Sequence, residues 1–204
     1  VMPPMLMSAP ASDADRDHQV RFGFGAGIDK RLHSAFEARF GFPLVEAWAM
    51  TETGNGAVVA ANHEPRKVGL NIFGRPAAQV QVRLVTDDGR EAGIDEPGEL
   101  LVRRAGADPR YGFFTEYYKD PQATALAWAG GWFHTGDIVQ RNADGDMVFV
   151  DRKKNVIRRS GENIAALEVE SVLMRHPGVG AAAVSAVLDE VRGESFRSGR
   201  LRLQ

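Results

Sequence analysis

Asp137 stands directly after a Thr135-Gly136 turn and ahead of Ile138-Val139-Gln140-Arg141, which reads as a short strand. A carboxylate held rigidly at a strand entrance accepts two hydrogen bonds at once and suits a pair of neighbouring hydroxyls, such as those of a ribose. Asn142-Ala143-Asp144-Gly145 then supplies an Asp-Gly turn, and Met147 to Val150 alternate away from it, so a hairpin delivers Arg152 beside that carboxylate. Two further groups could meet a ligand: the loop Trp48-Ala49-Met50-Thr51-Glu52-Thr53-Gly54 and the glycine step Gly25-Ala26-Gly27. Each has a plain structural alternative. Asp137 can cap a turn, Arg152, Lys153 and Lys154 can be solvated charge, Trp48 can pack in a core, and Thr51 can serve a turn.

The elements that must position these groups follow from pattern. Val20 to Phe24 alternates as a strand and runs into Gly25, Ala26 and Gly27, where glycine permits close backbone approach or positive φ. Asp29 can cap a helix with Leu32, Ala35, Phe36 and Phe40 on one face and Gly41 as its stop, and Leu44 to Ala47 reads as a second strand. Strand, helix, strand is a parallel unit, and ligands bind beyond the carboxyl ends of such strands, here Gly25–Gly27 and Trp48–Gly56. Ahead of it, 1–9 is a short apolar piece and 10–17 a polar linker.

Downstream, Gln79–Thr86 and Glu99–Arg103 read as antiparallel scaffolding, with His63 before them in a structural or solvated role rather than a catalytic one. The aromatic stretch Tyr111–Tyr118 is expected to pack, and Asp120-Pro121 to cap a helix running to about Trp128. Asn155–Arg158 reads as a strand and Ser160–Asn163 as a loop. Glu168–Arg175 reads as a helix burying Val169, Val172 and Leu173, with an apolar strand at Gly180–Leu188 after it. The expected fold class is α/β with mixed parallel and antiparallel sheets, part of a large domain followed by part of a small α+β domain.

The 204 residues carry a net charge of −2, which gives no electrostatic case for nucleic acid or an anionic membrane. No cysteine is present, which removes thiolate chemistry and Cys-ligated zinc. No apolar run approaches the roughly 20 residues that span a bilayer. The N-terminal stretch lacks a basic n-region, so a cytoplasmic protein is the expectation.

The run GGWFHTGD, followed by GDMVFVDRKKNVIRRSGENI, resembles the late motifs of the adenylate-forming superfamily, which holds acyl-CoA synthetases, peptide-synthetase adenylation domains and luciferases. Trp48 to Glu52 resembles that family's aromatic-Gly-x-Thr-Glu motif, with Trp in place of Tyr and Ala49 in place of Gly. The resemblance implies that Trp48 stacks on adenine and that Thr51 hydrogen-bonds the α-phosphate or the substrate carboxylate. It also implies that Glu52 holds Mg²⁺, that Gly25, Ala26 and Gly27 line the nucleotide, and that Asp137 and Arg152 take the ribose or phosphates. By the same likeness 1–151 belongs to the large domain and 152–204 to the small one. Lys154 is the hinge, and Ser160, Gly161 and Glu162 line a coenzyme A channel.

The implied activity is ATP-dependent, AMP-forming ligation of a small-molecule carboxylate to coenzyme A. GFGAGI, EAWAMTETG and ANHEPRKVG look most like the carnitine/crotonobetaine and medium-chain acyl-CoA ligases. The alternatives are an adenylate-binding remnant without catalysis, an adenylation domain, and a luciferase-like oxygenase. The family's Ser/Thr/Gly-rich phosphate loop does not occur in this sequence, and its last lysine is Lys154, where relatives end with a later, catalytic lysine. After Glu194 the likeness stops. The expectation is therefore a fragment that does not turn over alone; a homodimer stays open.

Overall fold

The computed structural model of the chain describes residues 2–159, 162–189 and 193–202. They fall into two compact units, Val1–Thr135 with Gln140–Phe149, and Gly136–Val139 with Val150–Gln204.

The first unit opens with α1 (Met2–Ser8) and a 3-10 turn at Asp13–Arg16. The stretch read as a polar linker is tied down rather than loose. Arg39 places Nε 2.8 Å from Asp15 Oδ2 and donates to the carbonyls of Met7, Ala9 and Pro10. A guanidinium carries five donors in a rigid fork, so one side chain can gather several carbonyls from an irregular segment.

β1 (Gly23–Gly25) is shorter than the alternation of Val20–Phe24 predicts, because Val20 and Phe22 are exposed and that stretch has no buried face. α2 (Lys30–Phe40) is capped as expected. Asp29 accepts from the Arg31 N–H, and Gly41 ends the helix in the left-handed region. Phe36 and Phe40 are buried with Ile28 and Leu44. Ala35 is exposed, contrary to expectation, and His33 occupies the helix's inner face in its stead. His33 Nδ1 accepts from the Gly69 N–H, so Nε2 carries the proton and donates to the Leu44 carbonyl at 2.7 Å. A histidine on that face is satisfied by backbone and needs no apolar neighbour.

β2 (Leu44–Trp48) pairs parallel with β1 and antiparallel with β3 (Val59–Ala60), which gives the expected strand-helix-strand unit. A five-stranded sheet follows, built of β4 (Ile72–Gly74), β5 (Val80–Val85), β6 (Gly98–Arg104), β7 (Phe133–Arg141) and β8 (Met147–Arg152), in the order β4-β8-β7-β6-β5. Leu84 and Val82 face Leu100 and Val102 in the β5–β6 register, and Leu84, Leu100 and Val102 are fully buried. Between β6 and β7 in sequence, α3 (Pro121–Ala127) starts on Asp120, whose carboxylate accepts from the Ala123 N–H. Asp137 lies in the middle of β7, not at a strand entrance. Gly136 adopts φ of 67° within the strand, so the Thr-Gly step departs from extended geometry without ending it.

The second unit holds β9 (Val156–Arg159), β10 (Glu162–Ala165), α4 (Ala166–Leu173), β11 (Val179–Asp189) and β12 (Gly193–Arg202), with sheet order β10-β9-β12-β11. Glu162 and Asn163, read as loop, are strand residues paired with Arg159 and Arg158. Ser160 and Gly161 lie outside the described residues. α4 starts at Ala166, which is buried, while Val172 is exposed, so the expected apolar face is shifted. The basic segment after Glu194 pairs along β11, from Val187↔Ser195 to Val179↔Arg202. Antiparallel pairing is a backbone property and tolerates that composition. Among the described residues no helix is long and apolar enough to cross a membrane.

Glu46 lies within the parallel unit at 6% exposure, its Oε1 accepting the Ile28 N–H at 3.3 Å. Burial pushes its carboxyl from the ordinary 4.5 up to about 7. The folded chain therefore holds a proton that the unfolded chain releases, and stability falls as pH rises from about 4.5 through about 7. At 1.36 kcal/mol per pH unit the loss is on the order of 3 kcal/mol. Glu46→Gln keeps the acceptor and removes the charge. Urea unfolding is expected to show its stability nearly flat across that window and above wild type at about pH 8; parallel curves for the two proteins would contradict this.

Candidate nucleotide site

In the first unit, β2 ends at Trp48 and the chain enters a compact turn. Met50 N–H donates to Thr53 Oγ1, and Thr53 Oγ1 donates back to the Met50 carbonyl, both at 3.0 Å. Thr53 is fully buried, which leaves Thr51 exposed and Glu52 half-buried on the turn's outer side.

A second segment, 111–117, grips this turn. The Gly112 carbonyl accepts from the Asn55 and Gly56 N–H groups, and Phe114 N–H donates to the Glu52 carbonyl at 2.8 Å. The approach is close enough to require glycine. A Cβ on Gly112 would lie 2.3 Å from Asn55 Oδ1 and 2.9 Å from Gly56 Cα, and its φ is 83°. The Glu52 carboxylate is held as well, Oε1 accepting from the Tyr117 hydroxyl at 3.2 Å.

Trp48 is 5% exposed, in β2, with its ring 6.4 Å from that of Phe73 and tilted 33°. Its indole packs against the core, the plainer of the two alternatives weighed for it. Gly25, Ala26 and Gly27 are at least partly accessible at the carboxyl end of β1, and Gly27 takes a left-handed φ with nothing within 4 Å of its Cβ position.

In the second unit, Asp137 is 2% exposed and Arg152 Nε stands 2.7 Å from its Oδ1. The Arg152 side chain is 44% exposed, so the pair has one buried and one accessible member. Asp151, to which the sequence gives no role, braces this corner. Its oxygens accept from the Arg152 N–H at 2.7 Å and from the Leu167 N–H at 3.1 Å. The second bond caps the first turn of α4, whose own cap position, Ala165, has no side-chain acceptor. A capping carboxylate fifteen or so residues before its helix leaves no local signature. Lys154 is exposed in the 3-10 turn Lys153–Asn155, and the backbone of Glu162 belongs to β10.

Among the described residues no three metal-capable side chains cluster. Magnesium is nonetheless compatible with Glu52, because that ion takes one or two carboxylates, completes its shell with phosphate and water, and needs no protein cage.

With this geometry in view, residues 2–112, just over half the chain, match the family described as AMP-binding enzyme. The chain belongs to that adenylate-forming family. It is 34% identical over 195 residues to the crotonobetaine/carnitine–CoA ligase of Citrobacter koseri and 33% identical to that of Salmonella typhi. Each alignment takes in 95% of this chain, which spans 37% of the length of those relatives. Among solved structures, o-succinylbenzoate CoA synthetase from Bacillus subtilis with its acyl-adenylate intermediate matches with TM-score 0.78 at 25% identity, over 98% of this chain and 39% of that one. The amide bond synthetase McbA from Marinactinospora thermotolerans matches with TM-score 0.70 at 30% identity, over 90% and 36%.

Proposed function

We propose that the chain carries nucleotide-handling residues of an ATP-dependent, AMP-forming acyl-CoA ligase. The observation that carries the reading is the buried Asp137 carboxylate ion-paired to the accessible Arg152 at 2.7 Å, in a chain resembling crotonobetaine/carnitine–CoA ligases along 95% of its length. In the first half-reaction a substrate carboxylate oxygen bonds to the α-phosphorus of ATP and the bond to the pyrophosphate oxygen breaks. In the second, the coenzyme A sulfur bonds to the acyl carbon, AMP leaves, and the thiol proton is lost. The assigned roles are those of alignment and charge neutralisation.

Asp137 accepts from the ribose hydroxyls, and Arg152 has the exposure to turn from that carboxylate toward phosphate. Thr51 donates from an exposed hydroxyl to the α-phosphate or the substrate carboxylate. Glu52 would hold magnesium, which neutralises phosphate charge. The domain division at 151/152, the hinge at Lys154 and the channel role of Ser160, Gly161 and Glu162 rest on family likeness alone.

The likeness to an amide bond synthetase favours a second acceptor, an amine in place of the coenzyme A thiol, on the same adenylate. Titration calorimetry of the purified chain with AMP is expected to show saturable binding that ATP displaces. No AMP binding would overturn the nucleotide reading.

A further inference from the structure

The segment 111–117 does more to the Thr51–Glu52 turn than cover it. Its aromatic composition predicts packing, and Phe113 and Phe114 do pack, with ring centroids 5.9 and 5.8 Å from that of Phe133. Tyr111 and Tyr118 are exposed, and Tyr117 between them points its hydroxyl at a carboxylate.

Tyr117 is mounted to aim. Its N–H donates to Thr124 Oγ1 at 2.9 Å, its carbonyl accepts from the Asp120 N–H at 3.1 Å, and its ring lies against Phe114, 4.7 Å between centroids. Thr124 Oγ1 in turn donates to the Asp120 carbonyl within the first turn of α3. The phenol is thereby referenced to a capped helix, while the Phe114 N–H and the Gly112 carbonyl hold the backbone of the turn that carries Glu52.

We propose that Tyr117 is a positioning residue, whose hydroxyl fixes the Glu52 carboxylate through Oε1 and directs Oε2 to a divalent cation carried by nucleotide phosphates. This rests on the reading of Glu52 as a metal carboxylate. A hard ion in octahedral geometry accepts little angular error, and a glutamate has three rotatable bonds, so a donor that selects one rotamer lowers the ordering cost of binding. Phenylalanine would preserve ring packing and remove the hydrogen bond.

The test uses the purified chain with ATP and Mn²⁺ in place of Mg²⁺, bound Mn²⁺ being read by electron paramagnetic resonance and metal-free AMP binding by calorimetry. Tyr117→Phe is expected to weaken Mn²⁺·ATP binding by about threefold to tenfold while leaving AMP binding unchanged. In a Glu52→Gln background the same substitution is expected to change nothing further. Unaltered Mn²⁺·ATP binding in Tyr117→Phe, or equal loss of AMP and Mn²⁺·ATP binding, overturns the positioning role. Wild-type Mn²⁺ affinity in Glu52→Gln overturns the metal reading of Glu52 and this inference with it, a result distinct from failure at Tyr117 alone.

Discussion

Asp137→Asn is expected to weaken AMP binding by about tenfold to a hundredfold, the cost of replacing a charged acceptor of hydroxyl donors by a neutral amide. The substitution is nearly isosteric, so β7 keeps its packing, but the amide presents one acceptor oxygen and a donor where the carboxylate presents two acceptors. The fold should tolerate the change, because Arg152, the named partner of Asp137, is 44% exposed and regains water when the ion pair is lost. Calorimetry with AMP and a urea midpoint on the same preparation separate the two effects. Lost affinity with a midpoint near wild type supports the ribose role. A collapsed midpoint would make Asp137 a structural residue of β7, and unchanged affinity would remove it from the nucleotide altogether.

What the sequence made legible divides along local and non-local physics. The helix 30–40, its Asp29 cap and its Gly41 stop depend on neighbours in sequence, and they stand where the pattern puts them. So do the Asp-Gly hairpin, in which Gly145 N–H donates to the Asn142 carbonyl, and the Asp120 cap. Burial is less legible, since it depends on what lies opposite. Ala35 and Val172 fit an apolar stripe and are exposed, whereas His33 breaks the stripe and is buried, because Leu44 and Gly69 supply backbone partners.

The candidate site shows the same division. Motif likeness points to Thr51, Glu52, Asp137 and Arg152 as residues, but it cannot say which neighbours hold them. Tyr117 lies 65 residues from Glu52, and the Asp151 carboxylate serves an amide 16 residues away, in α4. Trp48, read as a ligand platform by likeness, is 5% exposed and lies by Phe73, a neighbour that the motif does not name.

The aromatic cluster behind the Glu52 turn makes the largest stability prediction. Phe133 is 1% exposed, and its ring centroid lies 5.5 Å from that of Trp128, near the two phenylalanines of the gripping segment. Phe133→Ala removes most of a large buried side chain from between rings that are themselves anchored, so the cavity cannot close fully. The expected cost is about 3–5 kcal/mol, a large share of the total stability of an ordinary domain. The damage should not spread evenly. Phe113, 5.0 Å from Trp128, presses on Gly56 so closely that a Cβ there would lie 2.3 Å from its ring. Loosening Phe113 therefore weakens the bonds from the Asn55 and Gly56 N–H groups to Gly112 and from the Phe114 N–H to Glu52. Native-state hydrogen exchange is expected to quicken at those amides beyond the change at the interior amides of α2, whose Phe36 and Phe40 belong to a separate cluster. Phe133→Leu, which refills part of the volume, should fall between the two. A Phe133→Ala protein within about 1 kcal/mol of wild type, or one whose exchange quickens uniformly, would show that the cluster does not support the turn.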